Sequence, residues 1–242
     1  MEDSRKNLFL ITARAGSKGV TNKNIREIDG LPLLAFKAIS AKKSKYCDRL
    51  IISTDSEAIA AIAEKYEVEV PFIRPGHLAD DTSSSVDVIL HAVDYIEKYE
   101  NQQYDTITLL EPSSPFATYN DFNSALELYN HKKATSVIGM KESVSSTYIA
   151  PLDADQKMSN HIKKMNTASN ARRQDFIQEY TMNGALYIFS WDYVKCRKSI
   201  YSDNSYGYIM KSEYSVEIDD YTDLHYATYL YNYVLDKSYW SS

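Results

Sequence analysis

Short apolar runs alternate with amphipathic stretches from Leu8 to Leu110, and this alternation constrains the fold more than any other feature of the chain. Leu8-Phe9-Leu10-Ile11 reads as a strand ending at a glycine turn. From Leu31 the chain enters a helix that runs to about Lys45, with Pro32 near its start, where a missing N–H costs little. Arg49 to Thr54 is a second strand, closed by Asp55, and Ser56 to Tyr66 is a helix whose Ile59, Ile62, Ala63 and Tyr66 share one face. Val68 to Ile73 reads as a third strand and Val86 to Tyr99 as another helix. Thr106 to Leu110 is a fourth strand, apolar enough to be buried on both faces. Strands and helices alternating at these lengths predict an α/β fold, a mostly parallel sheet with helices on its faces.

Glu111-Pro112-Ser113-Ser114-Pro115 stops the fourth strand with a rigid turn at its carboxyl end, where open α/β sheets hold their ligands. A helix from about Asn120 to His131 and a strand from Ala134 to Met140 follow. From 141 to 180 the periodicity breaks, and Ser, Asn, Asp, Lys and Met dominate. An irregular excursion of that length in a compact domain serves a purpose such as a substrate cover or a subunit contact. Asn183 to Phe189 restores strand character. Tyr214 to Asp220 reads as a strand carrying alternate carboxylates, and Thr222 to about Asp236 as the last helix. There is no internal repeat, so residues 1–242 are expected to form a single domain bearing this excursion.

The glycine turn carries the first functional signal. Gly16 and Gly19 are joined by Arg14, Lys18, Lys23 and Arg26, which is how a strand delivers an anion to backbone N–H groups and compensating charge. A triphosphate is the natural occupant, and a basic surface loop the plain alternative. The Walker spacing is excluded because Lys18 lies between the glycines and no glycine stands four residues before Gly16. The GxGxxG dinucleotide fingerprint fails as well. Glu217 and Asp219, two apart on an expected strand, point to one face. Their mutual repulsion calls for a divalent cation, unless they merely belong to a solvated face. Arg172-Arg173-Gln174 is a cationic fork suited to a carboxylate or phosphate, or an ordinary charged surface run.

Other features exclude rather than assign. A net charge of −6 argues against a nucleic acid partner. No apolar stretch reaches the length of a membrane span and the polar MEDSRKN start lacks a signal-peptide pattern, so a cytoplasmic protein with no membrane partner is expected. Cys47 and Cys196 fit neither a zinc site nor a disulfide frame and read as buried free thiols. No pair among the five histidines has metal spacing; His91 and His131 read as helix-surface residues and none is given a catalytic role. Asp55 reads as the cap of the helix that follows it.

Taken together and in order, these motifs resemble the acylneuraminate cytidylyltransferase family, the CMP-sialic acid synthetases and their relatives. The resemblance rests on Ala13-Arg14-Ala15-Gly16-Ser17-Lys18-Gly19 with Lys23-Asn24, and on Ser53-Thr54-Asp55 and Arg74-Pro75. It extends through Asp81-Thr82 with Ser83 to Ser85, Leu110 to Pro115, Arg172-Arg173-Gln174, Asn183-Gly184-Ala185 and Glu217-Ile218-Asp219. It implies a Rossmann-like nucleotidyltransferase fold, a three-layer α/β/α arrangement, paired as a homodimer through an excursion like that at 141–180. It implies CTP and a nine-carbon 2-keto sugar acid as substrates, with Mg²⁺. Matched residue by residue, Arg14, Ser17, Lys18, Lys23 and Asn24 would hold the nucleotide and its phosphates, with Arg74, Ser83 and Ser85 around base and ribose. Lys18, Arg14 and Asp219 would act in catalysis, and Glu217 and Asp219 would hold the metal. Glu111, Arg173 and Gln174 would face the sugar acid. Two departures stand out: Glu217 replaces the usual aspartate of the metal pair, and Glu111 replaces a glutamine. The second puts an anion beside an anionic sugar and bears on the acceptor's identity, leaving open a legionaminate- or pseudaminate-like sugar, an eight-carbon ulosonate or a degenerate binding homologue.

Overall fold

The computed structural model describes residues 5–80, 83–167 and 177–241. Strand β1 (Asn7–Thr12) leads through the glycine loop to a small hairpin, β2 (Glu27–Ile28) and β3 (Leu31–Pro32). Asp29 and Gly30, with φ of 53° and 78°, turn this hairpin, as an Asp-Gly pair with positive φ at both positions does. Helix α1 (Leu33–Lys43), strand β4 (Arg49–Ser53), helix α2 (Glu57–Lys65) and helix α3 (Ser85–Tyr95) follow. Next come β5 (Thr106–Leu110), α4 (Tyr119–Lys132), β6 (Ser136–Ser143) and α5 (Ser159–Thr167). The chain ends with β7 (Glu179–Ser190), α6 (Trp191–Arg197), β8 (Ser205–Ile209) and α7 (Tyr221–Tyr233).

One six-stranded sheet runs in the order β4-β1-β5-β7-β6-β8. β1 pairs in parallel with β4 and β5, and β6 with β8, while β7 runs antiparallel to both of its neighbours. Because side chains alternate along a strand, Phe9 and Ile11 of β1 enter one core with Leu34, Ile59 and Phe122, and Leu8 and Leu10 enter another with Ile89, Val93 and Val194. Helices α1, α2 and α4 therefore cover one face of the sheet and α3 and α6 the other, which is why the sheet's central strands are apolar throughout. A third core joins Phe36 and Phe116 to Val216, Ile218, Leu230, Tyr231 and Trp240, fastening α7 and the chain end over the hairpin.

The structure departs from the sequence reading at several points. Residues 68–73 form only isolated bridges, Ile51 to Glu69 and Thr54 to Ile73, because Pro71 has no N–H to give a ladder. Residues 214–220 are not a strand. The sheet edge beside β6 is taken by Ser205–Ile209, a segment whose central Gly207 hid its strand character. The excursion is also shorter than 141–180: β6 and β7 project as a paired arm, Lys141 opposite Thr181 and Ser143 opposite Glu179. Between them α5 buries none of its residues. Cys196 is exposed and Cys47 only half-buried, where burial pushes the thiol up to about 12. His91 is partly rather than fully exposed: its ring stands edge-on to Phe72 and its Nδ1 is buried with no partner among the described residues. No helix of the described residues is long and apolar enough to cross a membrane.

Candidate active site

Parallel pairing of β1 with β5 sets Ile11 beside Leu110, so the glycine loop and the Glu111–Pro115 turn leave the sheet side by side. The loop is held by hydrogen bonds and by Val20, which is buried in the third core. Ser17 donates its N–H to the Ala15 carbonyl at 3.1 Å, and the Asn24 side-chain amide donates to the Arg14 carbonyl at 2.9 Å. The Ala15 N–H donates to the Asp55 carboxylate at 3.0 Å. Asp55 is therefore a loop anchor. Ser56 is the residue that caps α2, accepting from the Ile59 N–H at 3.4 Å.

Residues 216–219 run extended beside this loop without joining the sheet. Val216 and Ile218 are buried in the third core, which leaves Glu217 and Asp219 turned outward. The Ile218 N–H donates to the Ser113 carbonyl at 2.8 Å, tying the segment to the turn after β5. Lys23 ties it to the loop: Nζ donates to the Ile218 carbonyl at 2.7 Å and stands 3.3 Å from the Asp219 carboxylate. Gly19 closes the junction, because a Cβ there would lie 1.9 Å from the Asp219 carbonyl oxygen. Gly16, by contrast, faces open space.

These segments surround a cavity of about 470 Å³. Arg14, Lys18, Lys23 and Arg74 line one wall, with Ser17, Asn24, Ser83 and Ser85. Glu111, Glu217 and Asp219 line the other. Of the candidate residues that lie within the described residues, all but Gly16 and Arg26 of the glycine turn border one cavity, Arg26 donating instead to the Tyr221 hydroxyl at 3.2 Å; Arg173 and Gln174 lie outside the described residues, as do Asp81 and Thr82. Arg74 is 4% exposed, 3.8 Å from Asp55, and its Nε has no partner among the described residues, so a buried donor awaits an acceptor. Burial lowers the pKa of that guanidinium, opposed by Asp55. Burial, reinforced by the charge of Glu217, pushes the Glu111 carboxyl up to about 7, while Lys37 and Lys23 pull it down.

Sequence reasoning did not single out Lys37, a fully buried lysine of α1, and took Asp55 for a cap. It quoted Gly184 but gave it no role. With φ of 66° and a position where a Cβ would meet Ser114 Oγ at 2.8 Å and Glu217 Oε1 at 3.3 Å, Gly184 is the floor of the acidic wall. The Asn183-Gly184 pair was its visible signal, since Asn-Gly marks positive φ.

An α/β sheet whose ligand cavity opens at the carboxyl ends of its parallel strands, with a cationic glycine loop facing carboxylates, defines a class of proteins that handle phosphorylated ligands. Within that class the chain belongs to the cytidylyltransferase family, which it matches over residues 8–233. It is 34% identical to the N-acylneuraminate cytidylyltransferase of Escherichia coli O18:K1:H7 over 92% of this chain and 51% of that protein. It is 31% identical to the CMP-N,N'-diacetyllegionaminic acid synthase of Campylobacter jejuni over 92% of this chain and 94% of that one. Its fold is also that of the CMP:2-keto-3-deoxy-manno-octonic acid synthetase solved with CTP, at a TM-score of 0.69 and 12% identity, covering 95% of this chain and 100% of the other.

Proposed function

We propose that the protein transfers CMP from CTP to the anomeric hydroxyl of a nonulosonic, sialic-type 2-keto sugar acid and releases pyrophosphate. The observation that carries this reading is that the loop cations and the carboxylates Glu111, Glu217 and Asp219 line one cavity and are joined by the Lys23–Asp219 ion pair. Arg14, Lys18 and Lys23, with the loop and Ser17, hold the triphosphate, and Asn24 keeps the loop shaped for it. Arg74, Ser83 and Ser85 face base and ribose, where the unpartnered Arg74 Nε finds its acceptor. Glu111, with Arg173 and Gln174, meets the sugar acid.

Glu217 and Asp219 would hold Mg²⁺. Among the described residues no cluster of three or more metal-ligating side chains exists, but Mg²⁺ is ordinarily held by one or two carboxylates together with substrate phosphates, so this pair fits it. When bound, the cation supplies charge neutralisation at the α-phosphate and acidifies the attacking hydroxyl. The anomeric oxygen attacks the α-phosphorus, the bond to the bridging oxygen breaks, pyrophosphate leaves, and the hydroxyl proton passes to solvent. Lys18 and Arg14 stabilise the charge that gathers on the phosphate oxygens. No histidine lines the cavity among the described residues, and none is needed in this scheme.

The reading includes a single domain over residues 1–242, a cytoplasmic location and a homodimer. Exposed Val144, Ile149, Leu152, Ile162 and Ile177 on the arm between β6 and β7 support the last, since apolar side chains gathered on a projecting arm seek a partner surface. Glu111 favours a second reading, the same chemistry on a legionaminate- or pseudaminate-like acceptor or an eight-carbon ulosonate; a binding homologue without turnover is the remaining rival. Mixing the protein with CTP, Mg²⁺ and a panel of 2-keto sugar acids tests all of these by pyrophosphate release. Release with a nine-carbon acceptor is the expected result, and silence with every acceptor would leave only the binder.

A further inference from the structure

Behind the acidic wall lies a charge that the proposed reaction does not use. Lys37 sits in the middle of α1 with no exposed surface, and lysines are almost never fully buried unless paired. Its Nζ donates to the Ala185 carbonyl at 2.6 Å and stands 5.9 Å from the centre of the Phe122 ring. It makes no ion pair among the described residues, although an ammonium has three donors to place. Two carboxyls act on it electrostatically, Asp121 and Glu111. Asp121 is already committed, accepting from the Thr118 N–H at 2.8 Å and from the Tyr208 hydroxyl at 3.2 Å.

Glu111 is free of such ties among the described residues. It approaches the same two-residue segment as Lys37. The lysine binds the carbonyl of Ala185, and a Cβ on Gly184 would lie 3.5 Å from Glu111 Oε2. The positive φ of Gly184 and the absence of a side chain there let the carboxyl come this close. A half-buried carboxylate beside a second one, Glu217, repels any anionic ligand that enters. An ammonium behind the wall offsets that repulsion without occupying the cavity.

We propose that Lys37 is the buried counter-charge of Glu111, acting across Gly184–Ala185 so that an acidic residue can line the acceptor side of the cavity and still admit an anionic sugar acid. Lys37 touches no substrate in this arrangement. It is a positioning residue that works through Glu111, and an acceptor offering hydroxyl or amide N–H donors to that carboxyl is the class it suits. The part concerning the sugar acid rests on the function proposed above, whereas the coupling between the two charges does not.

A double-mutant cycle on the full-length protein separates the two. Lys37→Met keeps the side chain's length and removes its charge. It should raise the acceptor KM about tenfold while leaving the CTP KM within about twofold, a coupling of ordinary size for interacting neighbours. In the Glu111→Gln background the same substitution should change the acceptor KM by less than about twofold. Thermal midpoints of the four proteins should be non-additive in the same sense. An equal effect of Lys37→Met in both backgrounds, or additive midpoints, overturns the proposal, because Lys37 would then serve packing alone. If no acceptor turns over, the reaction assignment has failed and the melting cycle still decides the coupling. If Lys37→Met does not fold, the cycle is run with Lys37→Gln against the same criteria.

Discussion

The two walls of the cavity are built in opposite ways. The cationic wall comes chiefly from one continuous stretch, Arg14 to Lys23, on a loop that leaves β1 and is shaped by Asp55, Asn24 and its own backbone. The acidic wall gathers Glu111 from the end of β5, Glu217 and Asp219 from an unpaired segment, Gly184 from β7 and, behind them, Lys37 from α1. The first rests mostly on local geometry, with Asp55 and the buried Val20 as its outside anchors. The second exists because the third core buries Val216 and Ile218 and so presents the residues between and after them. Charge that is to meet a large, variably placed anion can sit on a loop, whereas carboxylates proposed to share a cation have to be held by packing.

The largest effect should come from breaking the acidic wall at Asp219. The Asp219 side chain is 75% exposed, so Asp219→Asn should leave the melting temperature essentially unchanged. It should nevertheless reduce pyrophosphate release by about 10³-fold, the scale on which losing a preorganised electrostatic stabiliser is felt. Near-normal release by this variant would falsify the metal-holding role. On the opposite wall, Lys18→Ala should cost less, about 10²-fold in kcat, because Arg14, Lys23 and the loop N–H groups remain to meet the phosphates. Steady-state kinetics of the two variants side by side measures whether the walls contribute unequally; a larger loss for Lys18→Ala would reverse the comparison.

Legibility followed the same division. Arg14, Lys18 and Lys23 could be read from residue type and spacing, because a strand, a glycine turn and clustered cations are near neighbours in sequence, whereas Ser17, Asn24, Arg74, Ser83 and Ser85 came only from the family resemblance. Glu217 and Asp219 were found for a reason only partly right. They do alternate with buried residues, but along an extended segment anchored by Ser113 and not along a sheet strand. Ser205–Ile209 was missed because Gly207, where a Cβ would meet Met140 at 2.9 Å, interrupts an otherwise aromatic run. Lys37 was missed because a lysine in a helix ordinarily reads as surface, although α1 buries residues all round, from Leu33 to Ala38 and at Ser40 and Ala41.

Where the walls meet, Gly19→Ala tests their mechanical link. The added methyl would have to displace the Asp219 carbonyl, so a loss of about 1–3 kcal/mol in urea denaturation is expected, as for other overpacked contacts. With it should come a drop in activity of about tenfold, smaller than that of Lys18→Ala because no charge is removed. Unchanged stability would mean that loop and acidic segment move apart freely and that the junction does not set the distance between the walls.

The smallest effect is a slope in pH. Burial lowers the Lys37 pKa from its ordinary 10.5 to about 7, against the opposing pull of Asp121 and Glu111. Between these values the unfolded chain binds a proton that the folded protein does not, so the lysine's contribution makes stability rise with pH from about 7 to 10.5. The full contribution is present above 10.5 and is lost as pH falls through about 7. The slope cannot exceed about 1.4 kcal/mol per pH unit for one group. Tyrosines also titrate at the upper end, so the quantity to measure is the difference between the wild-type protein and Lys37→Met in urea denaturation from pH 6.5 to 9.5. That difference should grow steadily toward alkaline pH in favour of the wild type. A flat difference would mean that the ammonium keeps its ordinary pKa in the folded protein, solvated or ion-paired there, and that burial does not act on it as the structure implies.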